Sequence, residues 1–135
     1  MLRDSVAFPS FSVDDLGAAR RFYGETLGLD AEIEDRMGLL RVALPGGGAA
    51  LIYPKEDHAP AAFTVLNFTV ADVGAAADAL TRKGVELHHY PAFGEPDAHG
   101  VYRGEARDEG GGRPDIAWFS DPAGNILSVV SQGPA

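Results

Sequence analysis

Phe8-Pro9-Ser10-Phe11-Ser12-Val13-Asp14-Asp15-Leu16-Gly17-Ala18-Ala19 and Val65-Leu66-Asn67-Phe68-Thr69-Val70-Ala71-Asp72-Val73-Gly74-Ala75-Ala76 are two versions of one pattern. Positions 8 and 65, 11 and 68, 15 and 72, and 19 and 76 all stand 57 apart. A constant offset marks a duplicated module, and a duplication constrains the fold more than any single motif does. Each block opens with residues alternating between two faces. Phe11 and Val13 oppose Phe8, Ser10 and Ser12, while Leu66, Phe68 and Val70 oppose Val65, Asn67 and Thr69. Period two with aromatic and β-branched residues predicts a strand.

Asp15 and Asp72 follow, where a short carboxylate can accept the free N–H groups of a first helical turn. Apolar residues then recur at helical spacing: Leu16, Ala19, Phe22 or Tyr23 and Leu27 in the first copy, and Val73, Ala76 or Ala77 and Leu80 in the second. Gly28 and Gly84 supply left-handed stops. The remainder of each copy reads as strands. Leu40, Val42 and Leu44 alternate with Leu39, Arg41 and Ala43 before a Pro-Gly-Gly-Gly turn and a strand over 49–53. In the second copy, strands over 116–120 and 126–131 flank the turn Asp121-Pro122-Ala123-Gly124-Asn125. Leu44-Pro45-Gly46-Gly47 matches Asp121-Pro122-Ala123-Gly124 at an offset of 77, so 20 extra residues lie between Gly84 and Asp121.

The expectation is a single α+β domain of two tandem βαβββ modules, about 1–57 and about 61–135. Each module buries the helix side of its sheet, and together they form a curved mixed sheet around a cavity. Whether the open faces close within one chain or between two is left open by the sequence.

Composition narrows the function. The chain of 135 residues is 45% apolar, so it can bury one real core. It has no cysteine, which excludes disulfides, thiolate metal sites and a thiol nucleophile. With 11 basic and 20 acidic residues the formal charge is −9. Such a chain repels phosphate backbones, and no Lys/Arg stripe with interleaved aromatics stands out, so no nucleic-acid partner is expected. No segment approaches the roughly 20 apolar residues needed to cross a bilayer, and no signal-peptide stretch opens the chain. No membrane partner and a cytoplasmic location are the expectations. No Ser/His/Asp arrangement, P-loop or dinucleotide fingerprint is present. Gly46-Gly47-Gly48 lacks the following Lys and helix of a phosphate loop and reads as a hairpin turn.

The run from Phe11 through Arg20-Arg21-Phe22-Tyr23 to Leu27-Gly28-Leu29 resembles the opening module of the vicinal oxygen chelate superfamily. That group includes glyoxalases, extradiol dioxygenases, methylmalonyl-CoA epimerase, fosfomycin resistance enzymes and bleomycin resistance proteins. Leu66 to Ala76, Lys83-Gly84-Val85 and Trp118-Phe119-Ser120-Asp121-Pro122-Ala123-Gly124-Asn125 extend the resemblance over nearly the whole chain. In metal-dependent members, His and Glu from equivalent inner strands ligate a divalent cation. The resemblance puts those positions at Phe8, Leu51, Val65 and Ser128. Phenyl and alkyl groups offer no lone pair and a neutral hydroxyl is a poor ligand, so neither metal nor other cofactor is expected.

Strand parity nominates Phe8, Ser10, Ser12, Arg41, Leu51, Tyr53, Val65, Asn67, Thr69, Trp118, Ser128 and Val130 as cavity-facing. Trp118 occupies a position where some metal-dependent relatives place an active-site tyrosine, and Arg41 is its repeat partner. An indole beside a guanidinium suits a planar or anionic ligand. Equally, Phe8, Leu51, Val65 and Trp118 could simply pack, with Arg41 reaching solvent. His88 and His89, on an expected strand before Tyr90, point to opposite faces, and His88 is the one with the parity to reach the cavity. His58 and His99 fall in loops, where His99 with Glu105 or Asp97 could rebuild a metal site. The stretch from Pro91 to Pro114 is long and Gly-rich and reads as a flap.

The functional expectation is metal-independent binding of a small organic molecule between the modules. Alternatives are a lyase, isomerase or dioxygenase with a non-standard metal site, or a scaffold without ligand. The resemblance also implies a homodimer.

Overall fold

The computed structural model describes residues 1–104 and 112–132. The chain divides into two compact units, Met1–Pro60 and Ala61–Ala135. The first contains β1 (Ser10–Val13), α1 (Leu16–Arg21), β2 (Ala31–Glu34), β3 (Leu39–Ala43) and β4 (Ala49–Pro54). Its sheet runs in the order β1-β4-β3-β2, with β1 and β4 parallel and the other pairs antiparallel. Val13, Leu40, Val42, Ala50 and Ile52 are buried along one face, and Ser10, Arg41 and Tyr53 alternate with them on the other. Each of the fully buried Val, Leu and Ile side chains contributes about 1.5–3 kcal/mol by leaving water.

Asp15 caps α1 by accepting the Ala18 N–H at 3.0 Å. The helix does not continue as simple α. Phe22–Thr26 forms a π turn, and its extra residue brings both Phe22 and Tyr23 to the buried side, their rings 5.2 Å apart edge to face. Gly28 closes the segment at φ +73°.

The second unit contains β5 (Thr64–Val70), α2 (Val73–Arg82), β6 (Ile116–Ser120) and β7 (Ile126–Ser131), in the sheet order β5-β7-β6. Asp72 caps α2 through the Ala75 N–H at 3.0 Å, the counterpart of Asp15. Val73, Ala77 and Leu80 form the buried stripe of α2, and Ala117, Phe119, Leu127 and Val129 form the buried face of the sheet. Asp121 organises the β6–β7 turn, accepting N–H groups of Ala123 and Asn125 and the Asn125 side-chain amide.

The second copy departs from the βαβββ expectation at one point. Among the described residues, the strand matching β2 is reduced to an isolated bridge, Leu87 opposite Phe119, so His88 and His89 do not lie on a strand. The His88 N–H still donates to the Trp118 carbonyl at 2.8 Å. The ladder is lost at Tyr90, whose N–H goes to the Tyr102 hydroxyl rather than to β6, and Pro91 then opens a 3-10 turn over Pro91–Phe93. The edge of β6 is taken up again by Tyr102, bridged to Ile116. No helix among the described residues is long and apolar enough to cross a membrane.

Candidate functional site

Alternation along β6 places Trp118 and Ser120 opposite the buried Ala117 and Phe119. Trp118 stands level with Ser128 of β7, and Ser128 with Asn67 of β5, so these three residues form one row across the sheet. Ser128 is fully buried and donates to Asn67 Oδ1 at 2.6 Å. At the start of β5 the register slips: Thr64 pairs with Ile126 and Leu66 with Leu127, leaving Val65 as the extra residue of a bulge. A one-residue insertion exchanges the faces of the residues before it. Thr64 therefore comes level with Ile126, and its Oγ1 accepts the Trp118 Nε1–H at 3.2 Å.

Around this indole lies an open pocket of about 310 Å³ lined by Ala62, Phe63, Thr64, Tyr90, Phe93, Trp118 and Ile126. The 3-10 turn returns Phe93 onto Trp118, where the two rings stack with centroids 5.3 Å apart at 24°. Tyr90 meets the same indole edge-on at 5.2 Å and 88°. Tyr102, buried behind them, lies 5.6 Å from Trp118 and accepts the Tyr90 N–H through its hydroxyl. Offset-stacked and edge-to-face contacts of this kind contribute about 0.5–1.5 kcal/mol per pair beyond area burial. Gly94, at φ +86° and ψ −152°, turns the chain away after Phe93 through a conformation open only to glycine.

The polar groups here are few. The Tyr90 hydroxyl lies 3.0 Å from His88 Nδ1, and His88 Nε2 lies 2.8 Å from Ser120 Oγ. Burial, and then the neighbouring Tyr102, push the Tyr90 phenol above its ordinary range, so it stays protonated. None of the lining side chains is charged. The arrangement can clasp a flat, neutral aromatic body and offer it a hydroxyl or two.

Of the residues nominated by parity, Trp118 lines this pocket. Ser128 and Asn67 stand in its row, and Val65 is the bulge residue. Thr69 and Val130 face each other further along β5 and β7. In the first unit, Ser10, Leu51 and Arg41 fall in one row across β1, β4 and β3. Ser12 stands level with Tyr53 and lies 2.7 Å from His58 Nδ1. Phe8 precedes β1 and is 59% exposed.

Ala62, Phe63, Thr64, Tyr90, Phe93 and Ile126 were not among those nominated. The readable signal for Tyr90 and Phe93 was aromatic residues in and beside a Gly/Pro-rich stretch that otherwise looks like solvent-exposed loop. The part of the expected flap that is described supplies Phe93 to the pocket wall, while residues 105–111 lie outside the described residues.

The family's metal chemistry does not fit this donor set. Phe8, Leu51 and Val65 carry no lone pair, and Ser128, which donates to Asn67, offers only a neutral hydroxyl, a poor ligand by itself. No group of three His, Asp or Glu side chains comes together among the described residues. His99 Nδ1 is instead bound to Asp78 at 2.8 Å, and Asp97 accepts from Arg103 Nε at 2.7 Å. Glu105 lies outside the described residues.

Solved structures with the same fold include TnmS3, an antibiotic binding protein from Streptomyces sp. CB03234. It is 22% identical with a TM-score of 0.64, and the match covers 96% of this chain and 98% of that one. Lactoylglutathione lyase from Agrobacterium tumefaciens is 19% identical with a TM-score of 0.64, over 96% and 95% of the two chains. A member of the superfamily from Sphaerobacter thermophilus DSM 20745 is 22% identical with a TM-score of 0.64, over 94% and 98%. At these identities the likeness is one of fold. No curated protein matches the chain. The profile of the Glyoxalase/Bleomycin resistance protein/Dioxygenase superfamily matches residues 5–129, and the chain belongs to that superfamily.

Proposed function

We propose that the protein binds a small, flat, uncharged aromatic molecule without a metal ion, in the pocket built on Trp118. The observation that carries this reading is the convergence of Trp118, Tyr90 and Phe93 on one open cavity with no charged lining. Apolar, largely aromatic walls with a few placed polar groups are what a small-molecule site requires. The volume of about 310 Å³ suits a body of two or three fused rings. The hydrocarbon side chains at Phe8, Leu51 and Val65 favour binding over the metal chemistry of the superfamily's enzymes. A relative described as an antibiotic binding protein gives the same fold a precedent for carrying ligands.

The test is a thermal-shift screen of neutral bicyclic and tricyclic aromatics against the chelator-treated protein, repeated with added Zn²⁺, Ni²⁺ and Mn²⁺. A binder present at 100 times its Kd stabilises the fold by about 2.7 kcal/mol, which a melting curve resolves. The expected result is stabilisation by a subset of these compounds, unaffected by the metals and abolished in Trp118→Ala. Stabilisation that requires a metal, or that survives Trp118→Ala, would overturn the reading.

A further inference from the structure

Ser120, His88 and Tyr90 form a continuous chain of hydrogen bonds that ends on the wall of the pocket. His88 is fixed within it from three sides. Its backbone N–H is bonded to the Trp118 carbonyl at 2.8 Å, and its two ring nitrogens face Ser120 Oγ at 2.8 Å and Tyr90 Oη at 3.0 Å. A neutral imidazole carries one N–H and one lone pair, so one hydroxyl must donate to it and the other must accept from it. The phenol is far more acidic than an aliphatic alcohol, and is therefore the stronger donor and the weaker acceptor. The favoured arrangement has Tyr90 O–H donating to Nδ1 while Nε2–H donates to Ser120 Oγ, a tautomer assigned from this balance. The Tyr90 proton is then committed, and only lone pairs remain on that oxygen. The Trp118 Nε1–H is likewise committed, to Thr64.

We infer that His88 fixes the Tyr90 hydroxyl as a hydrogen-bond acceptor, so that the pocket selects flat aromatic ligands bearing an N–H or O–H over isosteres lacking that donor. This rests on the pocket being the ligand site. His88 is a positioning residue that acts through Tyr90, and it sets which ligands are accepted rather than whether any is.

Indole and benzofuran have nearly the same shape and differ in whether the ring heteroatom donates. Titration of each into the protein, followed by amide chemical shifts of pocket residues, gives the ratio of their dissociation constants. One net hydrogen bond corresponds to about three- to tenfold tighter indole binding by the wild-type protein. In Tyr90→Phe the ratio falls to near one. In His88→Leu it also falls towards one, with indole affinity kept and benzofuran affinity raised, because the freed hydroxyl can donate to the ring oxygen as well as accept from a ring N–H. Ser120→Ala, the smaller change, lowers the ratio in the same direction and serves if His88→Leu does not fold. Loss of both affinities in equal proportion in the folded variants would mean that His88 only supports the pocket, and would overturn the inference. So would equal binding of the two probes by wild type, with the ligand site left standing. If neither probe moves any pocket residue, the ligand site itself is refuted and the selectivity goes with it.

Discussion

The indole of Trp118 reaches from β6 over β7 to donate its Nε1–H to Thr64 at the start of β5, a distance of 3.2 Å. The bond links the two flanking strands of the second sheet without using the backbone. It depends on the bulge at Val65, since an unbroken ladder would present Val65 in place of Thr64.

Thr64→Val should therefore leave a half-buried indole donor without its acceptor. The expected cost is about 1 kcal/mol in urea unfolding, together with several-fold weaker binding of flat aromatics as the indole loses its anchor. Val65→Ala should change that affinity little. Equilibrium unfolding and titration of the two variants side by side check both statements.

The helix caps offer a second prediction. Asp72→Ala removes the carboxylate that holds the Ala75 N–H, and should destabilise the protein by about 1 kcal/mol, with Asp72→Asn nearly neutral. Asp15→Ala should act in the same direction through the Ala18 N–H. Chemical denaturation measures each. Equal losses for the Ala and Asn variants would show that charge, not the hydrogen bond, is what matters.

A third prediction concerns pH. The Asp78 carboxylate holds the imidazole of His99, first by its hydrogen bond and then by its charge, and raises the His99 pKa above the ordinary value. A raised pKa in the folded state means that the contribution is complete below about pH 6.5 and is lost as the pH climbs through the folded value. The tie between α2 and the segment around His99 should loosen over that window above pH 6.5. Proton NMR titration of His99 should give a midpoint above that of free histidine, returning to the ordinary value in Asp78→Asn. Asp97, in the same network, behaves oppositely. Burial works against its charge but is outweighed by bonds from the Val101 N–H, Arg103 and the His99 N–H, so its pKa is lowered and its contribution is lost only in acid.

Much of this architecture was legible in the residues. The offset of 57 located both β-α units, and Asp15 and Asp72 do cap their helices. Gly28 and Gly84 do take left-handed conformations. What escaped were single-residue irregularities. The π turn lets Phe22 and Tyr23 be buried together, where a helical period of 3.6 offers one or the other. The bulge at Val65 exchanges the faces of Thr64 and Val65, and strict alternation has no means of announcing it. The site was harder still. Trp118 could be nominated from its strand, but Phe93 reaches it through a short 3-10 turn inside a segment with no periodicity. Tyr90 and Phe93 acquire their roles from tertiary placement, and their chemistry was visible only as an unusual density of rings.

Trp118 is the single tryptophan of the chain, and it forms a wall of the pocket. Were a ligand to enter as proposed, the emission of Trp118 would report the occupancy. A ring stacking on it quenches or shifts the light, and energy transfer to an absorbing guest would register it without any label. The residue that gives the cavity its character would then double as an optical probe of the proposed binding.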